Sequence, residues 1–238
     1  MGTGASAILS RGNSCELNII DVGMDTPESE CQGPSSAAGG SPHITVTQAK
    51  VRRNSHDMTL GPALFPEERK AAEEVGAEAV RRYIAAHALE NHHHKTVAES
   101  TTTTHSRLVV CIGELGIGNT TAAAALVAAL TGEPAALVTG RGTGLGLDGI
   151  CLKVKAIEKA LAVNNKLIQS RDPSQILEAV GGLELAAMVG AYLEAGRHRM
   201  PILVDGFVSG AAALVALHRH PSLATFLSGS FTHLRAHE

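Results

Sequence analysis

Short apolar segments that stop at glycine and lead into helical segments constrain the fold of this chain most strongly. Residues 108–112 (LVVCI) form an uninterrupted apolar run before Gly113, which is typical of a strand buried on both faces. Further strands are predicted at residues 16–22, 135–139 and 201–205. Helices are predicted at residues 66–86, 120–130, 147–165, 184–195 and 210–217. This alternation predicts an α/β fold with a mostly parallel sheet and helices on both faces, a Rossmann-like three-layer arrangement.

The 238 residues, 44% of them hydrophobic, are enough for one α/β nucleotide-binding domain over residues 1–238. Two polar segments without periodicity, 26–50 and 87–106, are predicted to be mobile surface loops. The second contains His92, His93 and His94. Adjacent histidines point in different directions on any regular element, which favours a loop insertion over a metal site.

The composition restricts the class of partner. A formal charge of −3 and only 3% aromatic residues provide neither the basic surface nor the stacking platforms of a nucleic-acid-binding protein. No apolar run reaches the roughly 18 residues of a membrane span. The four cysteines lack zinc-finger spacing and are interpreted as reduced thiols, so we expect a cytoplasmic protein without membrane or nucleic-acid partners.

Residues 113–121 (GELGIGNTT) join a predicted strand to a predicted helix. The glycines allow backbone N–H groups to converge near the positive end of the helix. Such an arrangement of N–H groups binds phosphate or carboxylate. Asn119 stands where a nucleotide-triphosphate-binding loop has its lysine, and this disfavours a magnesium-dependent NTP hydrolase. Glu114 faces the uncharged end of the ligand, or steadies developing cationic charge, or is a solvated residue at the loop entrance. The candidate binding residues here are Gly116, Gly118, Asn119, Thr120 and Thr121.

A second glycine-rich loop follows the strand predicted at residues 135–139. Two such loops on one sheet suggest a single cleft. Lys153, about two turns into the next helix, is interpreted either as a phosphate partner or as an ordinary surface lysine. The candidate binding residues of this loop are Gly140, Arg141, Gly142, Thr143 and Gly144.

Two later segments supply the remaining candidates. Gly181 and Gly182 form a turn before a helix of small residues. Asp205 ends a predicted strand, where α/β folds bind ligands, although it could equally cap the next helix.

Taken in order, four segments resemble the nicotinate-nucleotide:dimethylbenzimidazole phosphoribosyltransferases of cobamide synthesis. Upstream, ELNIIDVGMD (16–25) and GPALFPEER (61–69) are similar to the same family. The four segments are GELGIGNTTAAAAL (113–126), GRGTGL (140–145), GGLELAAMVGAYL (181–193) and PILVDGFVSGAAAL (201–214).

The resemblance implies an enzyme that transfers the phosphoribosyl group of nicotinate mononucleotide to 5,6-dimethylbenzimidazole or a related base. Nicotinate is displaced and α-ribazole 5′-phosphate forms, in cobalamin biosynthesis, without a metal or another cofactor. By match, Glu114 is the acidic residue beside the nucleotide and Lys153 is the lysine that contacts it, and both are expected to be catalytic. The loops at 113–121 and 140–144 would surround the ribose phosphate. The resemblance also implies a homodimer.

Two parts of the family pattern have no match in this sequence. Family members begin with helices that line the base pocket, before the point matching Met1. They also continue past the point matching Glu238 into a segment with the glutamate taken as general base. The alternative hypothesis is therefore a non-catalytic or incomplete paralogue that binds nicotinate nucleotide.

Overall fold

The structure of the chain is a computed structural model that describes residues 5–13, 15–26, 44–90, 108–142, 144 and 146–229. Its contacts divide the chain into two compact units, residues 1–54 and residues 55–238. Both units contain helices and parallel strands, so the predicted α/β class is confirmed. Within the described residues, no helix is both long and apolar enough to cross a membrane.

The first unit contains helix α1 (Ala5–Gly12) and two parallel strands, β1 (Leu17–Asp21) and β2 (Ile44–Gln48). β1 confirms the strand predicted at 16–22, although it is not a core strand, because Ile19 is 44% exposed. β2 was missed, since it falls in the segment 26–50 that was predicted to be a loop; residues 27–43 lie outside the described residues.

Asp21 at the end of β1 stabilises the local backbone of the first unit. It accepts hydrogen bonds from the N–H groups of Gly23 (3.1 Å) and Met24 (2.8 Å), and it forms an ion pair with Lys50 (3.1 Å). These contacts lower the pKa of Asp21, against the effect of burial, which raises it.

The second unit holds most of the helices. Its described helices are α2 (Pro66–Glu90), α3 (Asn119–Thr131), α4 (Ala135–Val138), α5 (Leu147–Val163), α6 (Asn165–Gln169), α7 (Pro173–Val180), α8 (Leu183–Arg197), α9 (Phe207–Arg219) and the 3-10 helix Pro221–Thr225. Helix α2 runs four residues into the segment 87–106 predicted to be a loop, and residues 91–107 lie outside the described residues.

The three strands of the second unit form a parallel sheet in the order β3 (Val110–Cys111), β4 (Ile202–Val204), β5 (Leu227–Gly229). Ile202 is fully buried, whereas its neighbour Leu203 is 45% exposed. Successive side chains of a strand point to opposite faces, so one face of this sheet packs against the core. The prediction that residues 108–112 are buried on both faces is therefore wrong for the described residues, where Cys111 is exposed.

The strand predicted at residues 135–139 is helix α4 instead. Pro134 precedes the helix with a φ of −55°, and Thr139 Oγ1 donates to the Ala135 carbonyl at 2.6 Å, which closes the turn. A four-residue apolar run carries too little periodicity to separate a strand from one helical turn. The second glycine loop consequently follows a helix.

Helices α2 and α8 pack with their backbones in direct contact. A Cβ atom at Gly76 of α2 would lie 1.8 Å from the Ala187 carbonyl oxygen, and one at Gly190 of α8 would lie 1.9 Å from the Glu73 carbonyl oxygen. Glycine at both positions lets the two backbones approach directly. This contact holds the N-terminal part of α8 in a fixed place, beside the candidate site.

Buried charges join three helices of the second unit. Arg69 donates to Glu178 of α7 at 2.8 Å and to Glu73, within its own helix, at 2.7 Å. Arg219 of α9 also donates to Glu73, at 2.8 Å. Each of these four charges therefore has a partner of opposite sign, which offsets the cost of burying it.

Candidate functional site

The loop that follows β3 exposes the N-terminal end of α3. Gly118 precedes the helix with a φ of +84°, in the left-handed region that favours glycine, and no side chain caps the helix there. The Thr121 N–H donates to the Gly118 carbonyl at 2.9 Å, while Gly116 and Gly118 are exposed. The first N–H groups of a helix carry partial positive charge, so this end can receive an anion.

Glu114 is half-buried in the same loop and is held by Asn119, whose Nδ2 donates to its Oε2. Burial raises the pKa of Glu114, and the hydrogen bond from Asn119 opposes that rise. Asn119 therefore orients a carboxylate, whereas a lysine at this position would bind phosphate. The carboxylate lies beside the anion-binding end of the helix instead of being free in solvent.

Lys153 of α5 connects the two glycine-rich loops. Its Nζ donates to Thr120 Oγ1 at 2.8 Å and to the Gly140 carbonyl at 3.4 Å. The residue is only 7% exposed, and burial lowers its pKa. Its described hydrogen bonds go to neutral oxygens and none to a carboxylate, so its charge is available to an anionic ligand.

Gly142 lies against this lysine. Its φ is +57°, and a Cβ atom there would lie 3.1 Å from Thr120 Oγ1 and 3.7 Å from Lys153 Nζ. Gly144, with a φ of +108°, donates its N–H to the Arg141 carbonyl at 3.3 Å, which closes the turn. The second loop therefore brings its backbone next to Lys153.

Of the other candidates in this loop, Gly140 and Arg141 are exposed, and Thr143 lies outside the described residues.

The remaining sequence candidates are Gly181, Gly182 and Asp205. Gly181 and Gly182 are buried before α8, and a Cβ atom at Gly181 would lie 2.4 Å from the Leu177 carbonyl oxygen. Close packing thus explains the glycine at 181. Asp205 is exposed at the end of β4, and its backbone carbonyl, not its carboxylate, accepts the hydrogen bond from Ser209 Oγ.

Glu184, in the first turn of α8, is a residue that the sequence pattern does not single out. Burial raises its pKa, and the nearby negative charge of Glu114 raises it further. The only available sequence signal was its place after Gly181 and Gly182, and a glutamate in the first turn of a helix is commonplace. Its proximity to Glu114 depends on the tertiary fold.

Together these residues form a site with separate positive and negative parts. Lys153, the Gly142 backbone and the start of α3 can bind a phosphate, while Glu114 can stabilise positive charge that develops nearby. Among the described residues, no group of three or more His, Cys, Asp or Glu side chains is arranged to hold a metal ion. The arrangement suits a ligand that carries both a phosphate and a cationic centre.

Comparisons with a family model, with curated relatives and with solved structures agree with one another. A family model described as a phosphoribosyltransferase, DBI_PRT, matches residues 1–90 and 94–238. The nicotinate-nucleotide--dimethylbenzimidazole phosphoribosyltransferase of Geobacter sulfurreducens is 36% identical over 224 residues, covering 92% of this chain and 53% of the relative. The protein of the same name from Chromobacterium violaceum is 37% identical over 229 residues, covering 96% and 57%.

The solved structure of CobT from Thermus thermophilus is similar to this chain, with a TM-score of 0.75 and 35% identity. The match covers 96% of this chain and 58% of that structure. It confirms the predicted three-layer α/β fold. The chain spans little more than half the length of the relatives that it matches.

Proposed function

Because this chain belongs to the DBI_PRT family of phosphoribosyltransferases, we propose that it transfers the phosphoribosyl group of nicotinate mononucleotide to 5,6-dimethylbenzimidazole or a related base. The products are nicotinate and α-ribazole 5′-phosphate, and the reaction belongs to cobalamin biosynthesis. One observation carries the proposal: a buried ammonium, Lys153 Nζ, lies between two glycine loops and donates only to neutral oxygens in its described hydrogen bonds.

The substrate's charges fit the two parts of the site. The 5′-phosphate is placed against Lys153, the Gly142 backbone and the first turn of α3. Nicotinate mononucleotide has a cationic pyridinium bonded to C1′ of its ribose. Glu114, beside the same loop, is placed to stabilise the positive charge that moves onto the ribose as that bond breaks.

The transfer is a substitution at C1′. A ring nitrogen of the benzimidazole donates its lone pair to C1′ on the face opposite the pyridinium, and the C1′–N1 bond breaks. Its electron pair returns to the pyridine ring, which leaves as nicotinate. The N–H proton of the benzimidazole passes to a general base. The resemblance assigns that role to no residue of this sequence, so the work of the described residues is positioning and electrostatic stabilisation.

A single-turnover assay with nicotinate mononucleotide and dimethylbenzimidazole tests the proposal. Formation of α-ribazole 5′-phosphate supports the transferase. Nucleotide binding without product supports the alternative, a paralogue that only binds nicotinate nucleotide. Absence of nucleotide binding contradicts both.

Substitution of Lys153 tests the site itself. We expect Lys153→Ala to weaken nicotinate mononucleotide binding by about 1–3 kcal/mol, because a charge-assisted contact with the phosphate is lost. Lys155→Ala is the matched control, since Lys155 is exposed on the same helix. Isothermal titration calorimetry measures both, and equal affinities of the two variants would show that the phosphate binds elsewhere.

The proposal also includes a homodimer, a cytoplasmic location and the absence of nucleic-acid and membrane partners. The sequence resemblance implies the dimer, and the composition and the cysteine spacing favour the other properties. Analytical ultracentrifugation tests the dimer directly, because one sedimenting species at the mass of a single chain would contradict it.

A further inference from the structure

Thr120, in the first turn of α3, occupies the sequence position whose hydroxyl group binds Mg²⁺ in nucleotide-triphosphate-binding loops. Here that hydroxyl group is half-buried and accepts a hydrogen bond from Lys153 Nζ at 2.8 Å. The two residues lie 33 positions apart, on different helices. The loop has Asn119 in place of its own lysine, and the fold brings a lysine from α5 to the hydroxyl group of the next residue.

The elements that pack against α5 offer the ammonium of Lys153 few acceptors. Helices α3 and α4 contain no charged residue. The carboxylate of α7, Glu178, binds Arg69 at 2.8 Å. The second described acceptor, the Gly140 carbonyl, lies 3.4 Å from Nζ, which is longer than an ordinary N–H···O hydrogen bond. Thr120 Oγ1 is therefore the best-placed acceptor in the described surroundings of this ammonium.

The other charged side chains of α5 and of α6, which also packs against it, do not take part in this arrangement. Burial is the cause of the lowered pKa of Lys153. The other charged residues on these two helices are all exposed: Asp148, Lys155, Glu158, Lys159 and Lys166.

The backbone fixes the polar atom of Thr120 more firmly than that of Lys153. A lysine ammonium ends a flexible four-carbon stem, whereas a threonine hydroxyl is bonded to Cβ, and β-branching restricts its χ1 torsion. The backbone of Gly142 approaches both side chains, since a Cβ atom there would lie 3.1 Å from Thr120 Oγ1 and 3.7 Å from Lys153 Nζ. The hydroxyl group is thus enclosed between α3 and the second loop, where it can fix the position of the ammonium.

We propose that Thr120 is a positioning residue that acts through Lys153: its hydroxyl group holds the ammonium between the two glycine-rich loops, where the 5′-phosphate of the nucleotide binds. This inference rests on the proposed function. It assigns the Thr120 hydroxyl group to the lysine, whereas the sequence makes Thr120 a candidate ligand of the substrate. A lysine that is already ordered loses less side-chain entropy when the phosphate arrives, so the contact should increase the affinity.

Removal of the hydroxyl group at nearly constant shape tests the contact. We expect Thr120→Val to weaken the binding of nicotinate mononucleotide roughly tenfold, because the ammonium loses its acceptor. Thr120→Ser keeps the hydroxyl group and should bind within roughly threefold of the wild-type chain. Thr131→Val is the matched control at the other end of α3, where the exposed hydroxyl group donates to the Val127 carbonyl. Isothermal titration calorimetry measures all four proteins, and wild-type affinity in Thr120→Val overturns the inference.

A double-mutant cycle separates action through Lys153 from direct contact with the phosphate. If Thr120 acts through the lysine, Thr120→Val should change the affinity of a Lys153→Ala chain by less than roughly twofold. A tenfold loss in both backgrounds would mean that the hydroxyl group binds the phosphate itself, which contradicts the proposed role.

Nicotinate riboside, which lacks the phosphate, provides a second check on the same point. It should bind the wild-type chain and Thr120→Val equally, because the positioned ammonium has no phosphate to meet. If Thr120→Val weakens the binding of the riboside as much as that of the mononucleotide, the effect does not pass through the phosphate and the inference is wrong.

The contact is also measured on the full chain without ligand. Lysine labelled with 13C at Cε reports each ionisation by NMR, and Lys153→Ala identifies the signal of Lys153. We expect Thr120→Val to lower the Lys153 midpoint by roughly half a pH unit or more, because the hydroxyl group accepts a stronger hydrogen bond from the charged form. Thr120→Ser and Thr131→Val should leave the midpoint nearly unchanged. An unchanged midpoint in Thr120→Val overturns the inference.

The outcomes separate the two proposals. If the wild-type chain binds nicotinate mononucleotide and Thr120→Val binds it equally well, the positioning role is wrong while the proposed function stands. If no form of the chain binds the nucleotide, the proposed function fails, and the NMR titration still decides whether Thr120 holds Lys153. Should Thr120→Val not fold, Thr120→Ala takes its place in the cycle and in the titration.

Discussion

At the scale of single residues, Lys153 shows how burial changes the pKa of a charged side chain. The ammonium is almost completely buried and is hydrogen-bonded to a hydroxyl and a carbonyl. Burial without a neutralising carboxylate disfavours the charged form, which is why the pKa of Lys153 is lowered. In the proposed complex, the substrate phosphate would supply the missing negative charge and favour the protonated lysine.

The affinity for nicotinate mononucleotide should therefore fall as the pH rises through the lowered pKa of Lys153. Above that pKa the free protein must take up a proton to bind the phosphate well, and this costs free energy. The fall should begin at a lower pH than the titration of an exposed lysine. Calorimetry in buffers of different ionisation enthalpy measures proton uptake directly, and Lys153→Arg is the control because arginine stays charged. An uptake that persists in Lys153→Arg would assign the proton to another group.

The sequence offers candidate residues for this site, but it does not give their arrangement. The sequence does not decide whether Lys153 is a phosphate partner or a surface lysine, because spacing along a helix does not say which neighbour its side chain meets. Only the fold shows that it meets Thr120 and Gly140. Glu184 is missed for the same reason, since the influence of Glu114 on its pKa depends on the tertiary fold.

At the scale of elements, the contact between α2 and α8 depends on two glycines. Gly76 and Gly190 each face a backbone carbonyl of the other helix at a distance that no side chain can share. This contact positions α8 and therefore its first turn, where Glu184 lies. Both glycines sit in helix interiors, where glycine is unfavourable by itself, so packing accounts for their presence.

Alanine substitutions distinguish packing from helix propensity. We expect Gly190→Ala to lower the free energy of unfolding by about 3 kcal/mol, because the new methyl group overlaps the Glu73 carbonyl and forces the helices apart. Gly210→Ala is the matched control in helix α9, where a Cβ atom meets nothing within 4 Å. Alanine there should raise the free energy of unfolding by about 0.5–1 kcal/mol. Urea denaturation measures both, and equal effects would mean that the helices can separate without cost.

Element types were predicted well where the pattern was long and poorly where it was short. Helices α2, α3, α5, α8 and α9 were each predicted to within a few residues of their bounds. Helix α4 was predicted as a strand, because four apolar residues fit either element. Helix α7 was missed, although Asp172 and Pro173 form a typical start, with Asp172 accepting from the Ser174 N–H at 2.9 Å.

At the scale of the whole molecule, the buried core lies in one of the two units. Among the residues whose side-chain burial the structure describes, the buried hydrophobic ones all have numbers of 63 or higher. The first unit has two strands and one short helix among its described residues, and a two-stranded sheet is only marginally stable by itself. The stability of the chain and its candidate site should therefore belong to residues 55–238.

A chain of residues 55–238 should consequently unfold cooperatively and bind nicotinate mononucleotide. It contains the α2–α8 contact, the buried charges around Arg69 and all the site residues from Glu114 to Asp205. We expect its free energy of unfolding to lie within about 1 kcal/mol of that of the full chain, because hydrophobic burial is the main stabilising term. Circular dichroism during urea denaturation measures the stability, and calorimetry measures the affinity. If the shorter chain unfolds without a cooperative transition, residues 1–54 contribute to the core. If it folds but does not bind, they contribute to the site.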